Sequence, residues 1–405
     1  MLGPAMDVQV VEWLSLTVRW LHVIFGVAWI GTSFYFNWLN NQVRPSEVET
    51  DPHVAGDLWS IHGGKFYRVV KYKNAPATLP KVLHWFKYEA YLTWVTGFVL
   101  LILVYYLTPS SYLVDATVRP LDGWVAVAIA IAILVAGWIA YDLVCRSPLG
   151  KSNVLLAVIG LPIFTAIAFG LVQLFGARAA YLHFGALIGT LMAWNVFFVI
   201  IPNQKKTVAA MVEGKEPDAR WGNAGAQRSL HNNYFTLPVL FIMVSNHYPM
   251  TFGHAWNWAI LAALSIVGAG VRHWFNLAGQ GKKNVWILPA AAVAMVGLAL
   301  VSAPPSRATF EGAVGFDEAR SILDRRCVPC HAAQPSFRTA PDAPLLYQTA
   351  PQGIALDTPA GITARANRIH TQLVSGQMPL GNLTGMTDEE RAKVIAWVER
   401  GARTD

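Results

Sequence analysis

Trp124-Val125-Ala126-Val127-Ala128-Ile129-Ala130-Ile131-Ala132-Ile133-Leu134-Val135-Ala136-Gly137-Trp138-Ile139-Ala140 contains no charged side chain. The whole apolar run extends over 122–144, long enough as a helix to cross the roughly 30 Å of hydrocarbon in a bilayer. Similar runs lie on either side of it, near 13–37, 86–107, 153–175, 179–201, 232–250, 255–275 and 284–303, which makes eight spans. The chain is 54% hydrophobic and only 14% charged, with the charges gathered in loops and towards the C-terminus, so lipid is the natural solvent for residues 1–303. These features predict an all-α, polytopic eight-helix transmembrane domain over 1–303.

Beyond the last run the composition changes. Ser302 to Ala308 is a Pro/Ser/Ala stretch of linker type, which puts a connector at 304–308 and a separate small domain at 309–405. That domain contains Cys327-Val328-Pro329-Cys330-His331. Two thiols at this spacing add to the vinyl groups of one porphyrin, and the histidine that follows reaches its iron, so the motif reads as a covalent c-type haem site. A zinc site would need a second Cys/His pair, and the one remaining cysteine, Cys145, is far upstream. In Gly376-Gln377-Met378-Pro379, Met378 is the expected second axial ligand beside His331. Met386 is its rival, but it directly precedes Thr387-Asp388-Glu389-Glu390, a capping box opening a helix through Val394, Ile395, Trp397 and Val398, and is expected at the domain edge. With a further helix over 316–326, residues 309–405 read as a small all-α, class I-like cytochrome c domain.

Haem is attached to such motifs outside the bacterial cytoplasm, and eight spans put both termini on one side, so both are expected in the periplasm. The loops this places in the cytoplasm carry Arg44, Lys65, Arg68, Lys71, Lys73, Lys81, Arg146, Lys151, Lys205, Lys206, Lys215, Arg220, Arg228, Lys282 and Lys283. The opposite loops carry Arg119 and Arg178. That asymmetry is the positive-inside signature of an inner-membrane protein, and it accounts for the net charge of +7 without a nucleic-acid partner. Asp7 and Glu12 stand where a cleavable signal peptide would have a basic region, so none is expected.

Inside the spans, Leu21-His22 and Leu182-His183 recur in equivalent places, as do Leu83-His84 and Leu230-His231, which suggests a 4+4 duplication. Ionisable groups at membrane depth face a partner or a cavity. His22 and His183 either hydrogen-bond neighbouring helices or ligate a b-type haem between them. A second layer, expected at the cytoplasmic ends of spans two, six and seven, holds His84, Lys87, Glu89, Arg228, His231, Asn232, Asn233, Arg272, His273 and Asn276. Lys87 and Arg228 taken singly read as interface cations, whereas Glu89 and Arg272 lie deep enough to require pairing or a ligand. Cys145 reads as a buried thiol and Asp142 as a helix-end charge.

Arg19-Trp20-Leu21-His22-Val23-Ile24-Phe25-Gly26-Val27-Ala28-Trp29 resembles the first helix of the small membrane protoporphyrinogen oxidases, whose matching histidine is associated with haem. Across the whole chain, the domain order together with Leu182-His183-Phe184-Gly185-Ala186, Ile201-Pro202-Asn203-Gln204-Lys205-Lys206 and His231-Asn232-Asn233-Tyr234 resembles the bacterial membrane urate hydroxylases called PuuD. The resemblance implies oxidation of urate to 5-hydroxyisourate, with electrons leaving through the attached cytochrome to a downstream cytochrome or terminal oxidase and not directly to oxygen. For that chemistry His84 or His231 is the expected general base, tuned by Glu89; Arg272 or Arg228 pairs with the anion, and Asn232 and Asn233 read its edges. Two other classes fit the architecture. One is a quinol- or other-substrate-oxidising electron-transfer subunit; the other is a transporter with a fused redox domain.

Overall fold

The computed structural model describes residues 4–115, 118–303, 310–338, 345–374, 376 and 378–404; the expected connector at 304–308 lies outside them. The chain is mostly helical. Each apolar run forms a helix: α1 Pro4–Gln42, α2 Tyr88–Tyr106, α3 Gly123–Arg146, α4 Asn153–Val172, α5 Ala177–Val212, α6 Ala219–Ser245, α7 Asn257–Gly279 and α8 Ile287–Val301. Among the described residues, six of these helices are long and apolar enough to cross a membrane. The two that fall short, α6 and α8, do so for different reasons. Helix α6 has the length but carries Arg220, Arg228, His231, Asn232 and Asn233 between its start and its middle turn, while α8 has 15 residues and rises about 22 Å.

Helix starts follow local chemistry. Asp122 accepts hydrogen bonds from the Trp124 and Val125 amides at the head of α3, Ser152 from Leu155 in α4, and Asp218 from Arg220 in α6. Helix α5 is the inner element: 67% of its most apolar window is buried in protein, against 0% for α1. It packs Tyr181, Phe184, Leu187, Leu191 and Met192 into a core shared with α3, α6 and α7. Close approach needs small residues; a Cβ on Gly185 would sit 2.5 Å from Ile242 of α6, and one on Gly97 of α2 would sit 2.9 Å from the His22 ring.

Both α2 and α5 contain a π-helical turn, at Ile102–Tyr106 and Asn195–Ile200. The extra residue in each turn shifts the helix face. In α2 it buries the consecutive Tyr105 and Tyr106, and in α5 it delivers Asn195 to the interior with no exposure at all.

The all-α expectation needs one correction. Between α1 and α2 the chain forms an antiparallel hairpin, β1 Val54–His62 and β2 Lys65–Tyr72, turning on Gly63 and Gly64 with φ of 58° and 75°. Two adjacent positive φ values are what a tight hairpin turn requires, and paired glycines supply them without steric cost. The hairpin is tied back by Asp57, which accepts from Arg68 Nε at 2.7 Å and Ser46 Oγ at 2.9 Å.

The C-terminal residues form a second apolar cluster around α9 Phe316–Arg326, α10 Ala366–Val374 and α11 Asp388–Glu399. Phe316, Leu323, Ile362, Leu373, Val394 and Trp397 fill it. The capping box forms as expected, with Thr387 and Glu390 bonding reciprocally, and Glu390 also receives Arg326 Nε at 2.9 Å. Met386, expected at the edge, is instead 3% exposed and part of this core; its backbone precedes the cap while its side chain points inward.

Candidate functional site

Polar side chains from four helices converge inside the helical bundle. Tyr141, Asp142 and Cys145 come from the last turns of α3, Asn195 from the π turn of α5, Arg228, His231, Asn232 and Asn233 from α6, and Arg272 and Asn276 from α7. On one side of α6, Asn195 Nδ2 donates to Tyr141 Oη at 3.1 Å and to Asn232 Oδ1 at 3.0 Å, while Asn232 Nδ2 donates to the Met192 carbonyl at 2.9 Å. Tyr141 Oη lies 2.7 Å from His231 Nδ1. Arg228 Nη2 donates to Asp142 Oδ1 at 2.7 Å, and its guanidinium lies over the Tyr141 ring. On the other side of α6, Asn276 Nδ2 donates to Asn233 Oδ1 at 2.9 Å.

The satisfied bonds matter less than the unsatisfied ones. Asn195 Oδ1, Arg228 Nη1, Asn233 Nδ2 and Arg272 Nε are all buried and have no protein partner. A buried polar atom without a partner costs about 1–3 kcal/mol, more when charged, so the two on each flank of α6 are candidate contacts for a polar ligand. Arg272 is the sharpest case. It is buried, lies over the Phe34 ring at 4.1 Å, and among the described residues has no carboxylate within salt-bridge distance. Arg228 pairs with Asp142, which also takes the exposed Arg146 at 2.7 Å, whereas Arg272 has no such carboxylate among the described residues.

The expected cytoplasmic layer is thus divided. Arg228, His231, Asn232, Asn233, Arg272 and Asn276 do enter the cluster. His84 does not: it is exposed on the loop before α2, edge-on to Phe86 at 4.4 Å. Glu89, expected to need a partner or a ligand, lies in the first turn of α2, half-buried and without an ion pair among the described residues. His273 points outward to Tyr234 Oη at 2.6 Å. Asp142 is a buried counter-ion and not merely a helix-end charge, and Cys145 is the expected buried thiol, with Sγ 4.0 Å from His231 Nδ1. Tyr141 and Asn195 were missed by the sequence argument; an amide inside an apolar run, at Trp194-Asn195-Val196, was the available signal.

His22 and His183 lie elsewhere, and not together. His22 Nδ1 bonds the Thr93 carbonyl at 3.0 Å and Thr96 Oγ1 at 3.1 Å. His183 Nδ1 donates to the Ala179 carbonyl at 2.8 Å, and its Nε2 accepts from Tyr106 at 3.1 Å. Their contacts on α2, Thr96 and Tyr106, are separated by about 15 Å of helix. In this arrangement the two imidazoles do not fit a shared b-type haem. Between His183 and the polar cluster runs a packed aromatic column, with ring centroids of Tyr106–Phe98 at 6.4 Å, Phe98–Trp94 at 5.3 Å, Trp94–Trp194 at 5.6 Å and Trp194–Trp138 at 5.5 Å.

The Cys327–His331 segment suits a c-type haem. Both thiols are free, the His331 amide closes a turn on the Cys327 carbonyl at 2.8 Å, and His331 Nδ1 donates to the Ile354 carbonyl at 3.0 Å. That last bond fixes the ring and leaves Nε2 for a metal, the usual arrangement behind an imidazole ligand. Burial pushes the Cys327 thiol up to about 12 and also raises Cys330. Met378 is held by Arg391 Nη1 donating to its carbonyl at 2.7 Å, whereas the rival Met386 is committed to core packing.

Residues 8–303, the whole helical bundle with its buried cluster, match the urate oxidase N-terminal family. The chain belongs to that family. Membership makes its activity urate-related and of oxidoreductase type. No curated protein and no solved structure matches the chain. For a urate oxidase family member, the observations that matter are the orphaned donors and acceptor, since a purine trione presents both carbonyl and N–H groups on its edges.

Proposed function

We propose that this protein is a membrane urate hydroxylase of the PuuD kind, oxidising urate to 5-hydroxyisourate and passing the electrons to its own c-type haem and then to the respiratory chain. The observation that carries the reading is Arg272, buried and without a carboxylate partner among the described residues, beside the Asn233–Asn276 pair, in a bundle that matches a urate family. Urate at neutral pH is a monoanion with three carbonyl oxygens. Arg272 pairs with its charge, Arg228 Nη1 and Asn233 Nδ2 donate to its oxygens, and Asn195 Oδ1 accepts one of its N–H groups. Each contact uses an atom that otherwise has no partner. Of the two expected bases, His231 stands at the cluster and His84 does not, so proton abstraction falls to His231.

A haem held by Cys327 and Cys330, with His331 and Met378 at the iron, supplies a one-electron acceptor. The protein sits in the inner membrane with that haem in the periplasm and the basic loops inside. A smaller pair of orphaned atoms, Tyr105 Oη and Arg178 Nε, marks an alternative seat at the opposite end of the bundle, but it offers two groups where the main cluster offers four. The deciding experiment is anaerobic addition of urate to the purified protein while following the haem c absorbance. The expected result is reduction by urate in wild type, retained in Arg178→Gln and largely lost in Arg272→Gln. A haem that stays oxidised in wild type sinks the proposal, and the opposite ranking of the two variants moves the substrate to the other end.

A further inference from the structure

We infer that Tyr141, His231 and Asn153 form a proton exit leading from the buried cluster to solvent, an inference that rests on the urate-oxidising reading above. Three hydrogen bonds run in series with one direction. Asn195 Nδ2 donates to Tyr141 Oη at 3.1 Å, which turns the phenol hydrogen towards His231 Nδ1 at 2.7 Å. With Nδ1 accepting, the ring proton is on Nε2, 3.3 Å from Asn153 Oδ1. The buried end of this chain is dry: Asn195 has 0% exposure and an orphaned oxygen. The other end is wet. Asn153 is exposed, Gln227 clips it to the Gly150 carbonyl, and Gly150 lines a cleft of about 510 Å³ together with Cys145 and Lys151.

A mere cross-link between α3 and α6 would need only the Tyr141–His231 contact. What it does not explain is an imidazole with its second nitrogen aimed at an exposed amide, so that one ring connects interior to surface. The reaction requires such a connection. Urate plus water gives 5-hydroxyisourate, two protons and two electrons; a c-type haem held by Cys327, Cys330 and His331 would supply the one-electron acceptor, but the protons are released where unpaired charge is most costly. In each transfer the substrate side gives a proton to Tyr141 Oη as the phenol's own proton moves to His231 Nδ1, and the Nε2 proton leaves to water in the cleft. One O–H and one N–H bond form as one of each breaks within the protein, and the starting tautomer returns when the imidazole turns, gives its Nδ1 proton to water, takes one from water on Nε2 and turns back. Arg228 above the Tyr141 ring and Asp142 beside it are paired with each other, and Cys145 contacts the same imidazole, so they are the charged and titratable neighbours of the path.

The test uses the full-length protein in nanodiscs, mixing it anaerobically with urate in H₂O and D₂O and measuring urate binding separately by equilibrium dialysis. Expected for Tyr141→Phe and His231→Ala is haem reduction slowed by at least about tenfold with urate Kd within about twofold, and partial rescue of His231→Ala by added imidazole. Asn153→Ala, at an exposed position that folding tolerates, should slow reduction less but enlarge the solvent isotope effect, which a structural cross-link would leave unchanged. Wild-type rates and isotope effects in Asn153→Ala and Tyr141→Phe, or a loss in His231→Ala that tracks lost urate binding and ignores imidazole, overturn the proton path. Wild type that binds no urate and keeps an oxidised haem overturns the function beneath it instead.

Discussion

Asn195 shows how much one side chain decides in this bundle. It bonds Tyr141 and Asn232 at once, joining three helices, and still leaves an oxygen free in the interior. Arg272 plays the complementary part, a buried cation whose guanidinium lies over the face of Phe34. Truncating one member of a buried, hydrogen-bonded charge pair costs about 2–5 kcal/mol, so Arg272→Gln is expected to weaken urate binding at least about thirtyfold, measured by equilibrium dialysis on folded, haem-loaded protein. Binding within a factor of three of wild type would remove Arg272 from the site. The sequence already singled out Arg272 as too deep to stay unpaired, and grouped Arg228, Asn232 and Asn233 with it in one polar layer, although Arg228 by itself read as an interface cation. It missed Asn195 and Tyr141 because their positions depend on a π turn and on the rotation of α3, neither of which leaves a periodic trace in composition.

At the level of elements, the hairpin over 54–72 is the feature that helix periodicity passed over. Its His62-Gly63-Gly64-Lys65 turn was legible, but a single hairpin between two long apolar runs is easily read as loop. Asp57 anchors it, and hydrogen bonds from Arg68 and then Ser46 hold its carboxyl below the usual carboxylate range. A depressed carboxylate stabilises the folded form above its unfolded pKa and loses that contribution as pH falls through the lower folded value. The hairpin is therefore expected to keep its protection at neutral pH and to open under acid conditions, below the ordinary aspartate range. Amide exchange over 54–72 as a function of pH checks this, with Asp57→Asn expected to exchange fast already at neutral pH. Slow exchange in that variant would mean that strand pairing alone holds the hairpin.

The molecule as a whole sets two tasks apart, a polar cluster among α3, α5, α6 and α7 and a haem motif in the C-terminal residues, with an aromatic column leading from the cluster towards His183. Because His22 and His183 bond different parts of α2, a pyridine haemochrome of the purified protein is expected to show c-type haem alone, one per chain; a b-type component would place a cofactor that these two rings, as arranged, do not hold. Apolar run length was enough to determine long apolar helices of a kind compatible with a membrane, and the Cys327–His331 spacing is what the proposed covalent haem rests on, because both signals are local: one is the distance a helix must travel through hydrocarbon, the other the distance between two vinyl groups. Which polar residues face one another was decided by tertiary structure alone. His84 and His231 look equivalent along the chain, yet one lies in a loop against Phe86 and the other between Tyr141 and Asn153, since helix rotation and register are set by the packing of distant side chains such as Gly185 on Ile242.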